Sequence, residues 1–244
     1  MASPSHDKLA VLIDAENAQA SVIHELLAEV SRYGTASVKR AYGDWTTTNL
    51  RGWKDVLHKM AIQPIQQFRY TTGKNSTDSS LIIDAMDLLH SGSLNGFCIV
   101  SSDSDFTRLA TRIREAGLVV YGFGERKTAE PFVAACDKFI FTEILKPQHA
   151  PIVQNEQEAP ELLEPMIHAA VTATARDNGW APLSAVGSII LKNSPSFDPR
   201  NYGCQKLGEL VRKQPYLEVK EVAIGDGSTN VHLYVRPKAA CQGR

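Results

Sequence analysis

The chain of 244 residues carries 26 Lys and Arg against 27 Asp and Glu, a formal net charge of −1, and 43% of its residues are hydrophobic. This is the composition of a globular protein able to build an ordinary core, and the chain has no internal repeats or low-complexity tracts. With no global positive field, any nucleic-acid partner must meet a local patch.

The N-terminus, Met1 to Lys8, is short and polar, unlike a signal peptide. The expected location is therefore the cytoplasm. No stretch approaches the roughly 18 apolar residues of a membrane helix, so no membrane partner is expected. Leu9 to Ile13 is a continuous apolar run ending in Asp14, with Ala15-Glu16-Asn17 behind it. A second such run, Phe97 to Val100, leads into Ser101-Ser102-Asp103-Ser104-Asp105. Runs this continuous, each followed by a helical pattern, read as buried parallel strands. Strands are expected at 9–14, 35–43, 62–68, 97–102, 118–123 and 138–143, and helices at 17–32, 48–60, 76–91, 104–116 and 127–136. This alternation predicts an α/β fold with a doubly wound parallel sheet.

Lys146 to Pro160 holds three prolines and little apolar content, as a linker does. Beyond it the texture changes. An apolar helical stripe begins at Leu162, a second helix is expected at Pro182–Leu191, and a third at Tyr202–Arg212. Strands at Tyr216–Ile224 and Asn230–Val235 flank the hairpin turn Gly225-Asp226-Gly227-Ser228. Three helices and a hairpin are the order of a winged helix. The expected division is a domain over 1–146, a linker over 147–160, a small winged-helix domain over 161–238 and a tail over 239–244. The four cysteines, Cys98, Cys136, Cys204 and Cys241, have no CxxC spacing and suggest neither zinc nor a disulfide framework.

In a parallel α/β sheet the ligand site lies outside the carboxyl ends of the strands. Asp14 and Asp103 both reach that edge. Singly, each reads as a turn aspartate. Together with Asn17, Ser101, Ser102 and Asp105 they make a dense oxygen-rich cluster. Clustered carboxylates repel one another unless a cation or shared proton compensates. A divalent-metal site and phosphodiester chemistry follow. Asp78, near a helix start, is the third carboxylate. Asp84 is six residues on, about 600° around the helix, and cannot share its face; it is kept as a weaker supporting residue. Thr71 to Thr77, with Gly73 and Lys74, leads into the same helix without the glycine spacing of a Walker motif. Lys74 is a candidate to orient a scissile phosphate. Gly122-Phe123-Gly124-Glu125-Arg126-Lys127 is a weak glycine motif in which Arg126 and Lys127 are candidate phosphate contacts. No HExxH or GxSxG pattern occurs.

LIDAEN, KNSTDSSLIIDAMDLL, FCIVSSDSDFTRLATRIREAGLVVYGFGERKT and FVAACDKFIF, between residues 8 and about 145, resemble the NYN family. That family is a branch of the PIN-like ribonuclease superfamily, in the group once labelled LabA-like. The later stretches LLEPMIHAAV, GWAPLSAVGSIILKNSPSFDPRNYGCQKLGELVRKQPYLEV and VHLYVRP are similar to the LOTUS (OST-HTH) module. The resemblance implies a PIN-like fold and a metal-dependent endoribonuclease acting on single-stranded RNA, with an RNA-targeting appendage. It implies Asp14, Asp78, Asp103 and Asp105 as catalytic and metal-binding carboxylates for Mg²⁺ or Mn²⁺, supported by Asn17, Ser101 and Ser102. It also implies a homodimer, as PIN-like domains often pair, and an RNA-processing protein partner for the LOTUS module.

Arg200, Tyr202, Lys206, Arg212 and Lys213 are the candidate RNA contacts of that module, although cations at a helix end, such as Arg212 and Lys213, are favourable there anyway. The alternative function is a non-catalytic RNA-binding adaptor on a PIN-like platform. Weaker alternatives are a phosphatase of small substrates and duplex DNA binding through the third helix.

Overall fold

The computed structural model describes residues 7–68, 76–145, 160–223 and 231–238. The chain divides into two compact units, Met1–Pro147 and Gln148–Arg244. No described helix is long and apolar enough to cross a membrane. The expected linker residues 146–159, the polar stretch 71–75, the expected hairpin turn 225–228 and residues 239–244 lie outside the described residues.

Among the described residues of the first unit, six parallel strands form one sheet: β1 (Lys8–Asp14), β2 (Thr35–Gly43), β3 (Gln63–Gln66), β4 (Gly96–Val100), β5 (Val119–Gly124) and β6 (Lys138–Phe141). Their spatial order is β3-β2-β1-β4-β5-β6. The chain builds outward from β1 to β3, then returns to place β4 on the other side of β1. The crevice at such a reversal is where open α/β sheets take their ligands.

Strand alternation divides the core in two. Ala10 and Leu12 of β1 face a cluster with Leu81, Ala85 and Leu89 of α3 (Ser76–His90), Leu109 and Ile113 of α4 (Thr107–Glu115), and Phe132 of α5 (Glu130–Ala135). Leu9, Val11 and Ile13 face the opposite cluster, with Ile23 and Leu26 of α1 (Ile23–Val30) and Trp53 and Leu57 of α2 (Trp53–Lys59). Because both faces of β1 are covered, its sequence is a continuous apolar run rather than an alternating one.

Several helices open later than the sequence suggests. Residues 20–22, 48–50 and 104–106 are 3-10 turns leading toward α1, α2 and α4. A tightened first turn extends the helical pattern beyond the α-helix itself. The GxG motif is a packing device. A Cβ on Gly122 would run into the Phe139 ring, and one on Gly124 would lie 2.6 Å from the Ser101 carbonyl oxygen.

The second unit contains α6 (Pro160–Thr174), α7 (Leu183–Asn193) and α8 (Leu207–Arg212), then β8 (Leu217–Ala223) and β9 (Val231–Pro237). A two-residue strand, β7 (Ala181–Pro182), joins β9 to give the order β7-β9-β8. Strands this short carry no readable periodicity, so the third strand was not visible in the sequence. The expected third helix also divides: residues 199–202 form a 3-10 turn ending at Gly203 in left-handed backbone (φ 69°), and α8 starts only at Leu207. The core joins Leu163, Ile167 and Val171 to Val186, Ile190, Leu210, Leu217 and Val235.

Candidate metal centre

The site lies where β1, β4 and the first turn of α3 end or begin. Asp14 is the last residue of β1 and only 1% exposed. Its Oδ2 accepts hydrogen bonds from Asn17 Nδ2 at 2.7 Å and Ser101 Oγ at 2.8 Å. Its Oδ1 accepts from the Glu16 and Asn17 amides at 3.2 and 3.4 Å. Burial pushes the Asp14 carboxyl up from its ordinary pKa, and these hydrogen bonds pull it part of the way back.

Ser101 connects the two strand ends. Its hydroxyl donates to Asp14 and accepts the Asp103 amide at 3.1 Å. Asp103 then caps the 3-10 turn that follows, with Oδ1 accepting from the Asp105 amide at 2.9 Å. Ser102 accepts the Glu125 amide at 2.9 Å and so ties this loop to the end of β5. The serines before Asp103 thus hold the loop geometry.

Asp78, Asp103 and Asp105 each offer a carboxylate oxygen, and these atoms lie within 4.8 Å of one another. Asp78 is pushed up to about 6 by burial first, then by the charges of Asp14, Asp103, Asp105 and Glu16. Asp14 therefore contributes to the field of the cluster while its oxygens are engaged in hydrogen bonds. Glu16 is a member that sequence reading passed over; its adjacency to Asp14 was the available signal. The donor set is hard oxygen throughout, which suits a divalent cation such as Mg²⁺, Mn²⁺ or Ca²⁺ and not a thiolate-seeking metal. A cation here would relieve the repulsion that raises the Asp78 pKa.

The other predicted residues are dispersed. Asp84 forms an ion pair with Arg40 and accepts a hydrogen bond from the Tyr42 hydroxyl, both on β2. Its carboxylate serves the α3–sheet contact, and it is not in the group of three. Lys74 lies outside the described residues. Lys127 pairs with Glu125 at 2.7 Å, and the Arg126 guanidinium lies 5.3 Å from the Phe141 ring centroid.

In the second unit, Arg200 grips the buried Asp198 through Nε at 2.9 Å and Nη2 at 2.8 Å. Tyr202 packs against Phe197 with ring centroids 5.9 Å apart. Arg212 pairs with Glu221 at 2.5 Å. Lys206 and Lys213, flanking α8, are exposed. Arg200, Tyr202 and Arg212 thus all have structural work in this unit.

A parallel sheet with an acidic pole at its switch point defines an α/β protein with a candidate cation site where such sheets take their ligands. Comparison with known families makes that specific. The NYN domain matches residues 8–145, and the chain belongs to that family, with its PIN-like α/β fold. An OST-HTH/LOTUS domain matches residues 157–229. The pairing marks an RNA-related nuclease or binder.

Among solved structures, the chain is similar to an uncharacterized protein from Nitrosomonas europaea at 31% identity, covering 41% of this chain and 98% of that one, with a TM-score of 0.30. A protein from Chromobacterium violaceum shows 41% identity over 34% of this chain and 86% of its own, with a TM-score of 0.27. A protein of unknown function from Vibrio parahaemolyticus shows 19% identity over 57% and 94%, with a TM-score of 0.47. No curated protein matches the chain.

Proposed function

We propose that this chain is a metal-dependent endoribonuclease of single-stranded RNA, with Mg²⁺ or Mn²⁺ held by Asp78, Asp103 and Asp105. The observation that carries the reading is the convergence of these three carboxylates, from two separate elements, at the switch point of an NYN domain. The domain boundary falls in residues 147–160, and the module beyond it brings RNA to the site.

A bound divalent ion supplies an activated water and neutralises charge on the scissile phosphate. The protein's part is positional. Asp103 and Asp105 approach from the β4 loop and Asp78 from α3, so these three carboxylates would hold the ion between two elements. Asp14 forms the buried floor; Asn17 and Ser101 fix its carboxylate so that its charge faces the cluster without moving. Ser101 also transmits that position to Asp103. Attack by water leaves a 5′-phosphate and a 3′-hydroxyl, and no histidine pair is required.

The test is cleavage of end-labelled single-stranded RNA by wild-type and Asp103→Asn protein in Mn²⁺, Mg²⁺ or EDTA, with product ends mapped. Metal-dependent cutting that is lost in the variant supports the reading. A 2′,3′-cyclic phosphate product sinks the mechanism. RNA bound but never cut, in any metal, assigns the chain to the adaptor function instead.

A further inference from the structure

The outer face of the small antiparallel sheet has a composition that its fold does not require. Register places Glu218, Lys220 and Val222 of β8 opposite Arg236, Tyr234 and His232 of β9. The intervening residues Leu217, Val219, Leu233 and Val235 pack into the core. The named pairs therefore point away from the helices. Trp180 precedes the buried Ala181, which pairs with Val235, so Trp180 joins the outward face beside Arg236.

The ring and cation positions agree with the register. The Arg236 guanidinium lies 4.6 Å from the Trp180 ring centroid, and Lys220 Nζ lies 5.9 Å from the same ring. Arg176, in the loop before β7, lies 5.8 Å from the Tyr234 centroid. Trp180 and Tyr234 both remain partly exposed, while Arg176 and Lys220 are exposed. The outward positions of β8 and β9 carry a single carboxylate, Glu218, and it is paired with Arg236 at 2.7 Å.

We propose that this face is a stacking platform for the bases of single-stranded RNA, with Trp180 and Tyr234 as its rings and Arg176, Lys220 and Arg236 as its cations. The proposal rests on the RNA-directed reading above and deepens it by naming the surface and the strandedness of the ligand. Two aromatic rings interleaved with cations match two features of one polymer: bases with π-faces and a phosphate on every nucleotide. Guanidinium groups lying over rings extend the stack, since bases also stack on guanidinium planes. A duplex hides its base faces, so the platform favours a single strand. Around α8, Arg200 and Arg212 are held by Asp198 and Glu221 as Arg236 is by Glu218; the sheet face differs in setting its cations against two partly exposed aromatic rings.

The experiment is fluorescence anisotropy of the full chain with a fluorescein-labelled single-stranded RNA of mixed sequence, in EDTA to prevent cutting, over a salt series. A paired RNA duplex of equal length serves as competitor. Arg176→Glu with Lys220→Glu changes exposed residues only and carries the main test. Its expected effect is a fall in affinity of about tenfold or more, with the salt slope reduced by about 0.7 for each phosphate no longer neutralised. Trp180→Leu is expected to bind about tenfold more weakly, and Trp180→Phe to restore most of that affinity. Lys206→Glu with Lys213→Glu, at the rival surface, is expected to lose less affinity than Arg176→Glu with Lys220→Glu.

If wild type binds and the sheet-face variants bind equally well, the platform is overturned while the RNA reading stands. A duplex that competes as well as the single strand overturns it too. If wild type binds neither RNA, the RNA reading itself fails and the platform falls with it.

Discussion

The two units place their chemistry in opposite kinds of position. The first gathers negative charge at a sheet end, where burial raises Asp14, and burial together with repulsion from neighbouring carboxylates raises Asp78. The second spreads aromatic rings and cations over an outward sheet face whose core is packed on the other side. A group buried among like charges strains the fold that presents it, whereas an exposed residue on a finished sheet adds little either way. The sign of a substitution's effect on stability therefore tells the two apart. Neutralising Asp78 should weaken cleavage and strengthen the cation-free fold; changing the exposed cations of the sheet face should weaken binding and leave the fold alone.

The largest expected effect is on cleavage. Asp103→Asn removes a carboxylate from the group of three and leaves the turn cap in place, since the amide oxygen still accepts from Asp105. Its rate should fall by more than about a hundredfold, and Ser101→Ala, which only frees Asp14 and the Asp103 amide, by about 10- to 100-fold. Single-turnover cleavage in Mn²⁺ measures both. A Ser101→Ala enzyme with wild-type rates breaks the link drawn between the two strand ends. RNA affinity in EDTA should be unchanged in both variants if the sheet face does the binding.

Asp84 sharpens the contrast inside the first unit. It sits on the same helix as Asp78, yet its charge is matched by Arg40 and its second oxygen by the Tyr42 hydroxyl. Asp84→Ala leaves both partners unsatisfied under α3 and should cost roughly 2 kcal/mol. Urea denaturation should show the loss at pH 7, and thermal stabilisation by Mn²⁺ should persist. If Mn²⁺ no longer stabilises the variant, Asp84 belongs to the cation site after all.

The residues explain what was legible in the sequence. The first unit shows itself through β1 and β4, whose continuous apolar runs read as doubly covered strands, and through aspartates at their ends. What periodicity cannot reveal is which oxygen faces which neighbour. Asp14 and Asp103 read alike as strand-end aspartates, yet Asp14 is a buried, hydrogen-bonded floor and Asp103 is open to a ligand. That difference is made by Ser101 and Asn17, through distances that no spacing rule encodes. Asp84 could be separated from Asp78 by helix angle, but its partners on β2 lie more than forty residues away in sequence.

In the second unit, attention to cations near the third helix passed over Trp180, because its place on the sheet depends on the two-residue strand β7. Glu16 was hidden by its neighbour: two acidic residues flanking one alanine look like a single site feature until Asp78 is seen to feel both.

Asp78 gives the smallest effect and the sharpest sign. Its folded pKa, about 6, stands above the ordinary 3.8 because ionising it meets burial and the other carboxylates. The native state therefore binds the proton more tightly than the unfolded chain does, so stability falls as pH rises through this interval and is regained on acidification. In EDTA, Asp78→Asn should be more stable than wild type at pH 7 by on the order of 1–2 kcal/mol. Toward pH 4 the gap should shrink to a small remainder, because wild-type Asp78 is then protonated in the fold and partly protonated in the unfolded chain. Mn²⁺ reverses the order at pH 7, since it stabilises only a fold that can hold it. Urea melts at pH 4 and 7, with and without Mn²⁺, measure all four corners. An Asp78→Asn protein less stable than wild type in EDTA at pH 7 would mean that Asp78 serves the fold as a helix-start aspartate, and the acidic pole would lose the charge repulsion that distinguishes it from the sheet face.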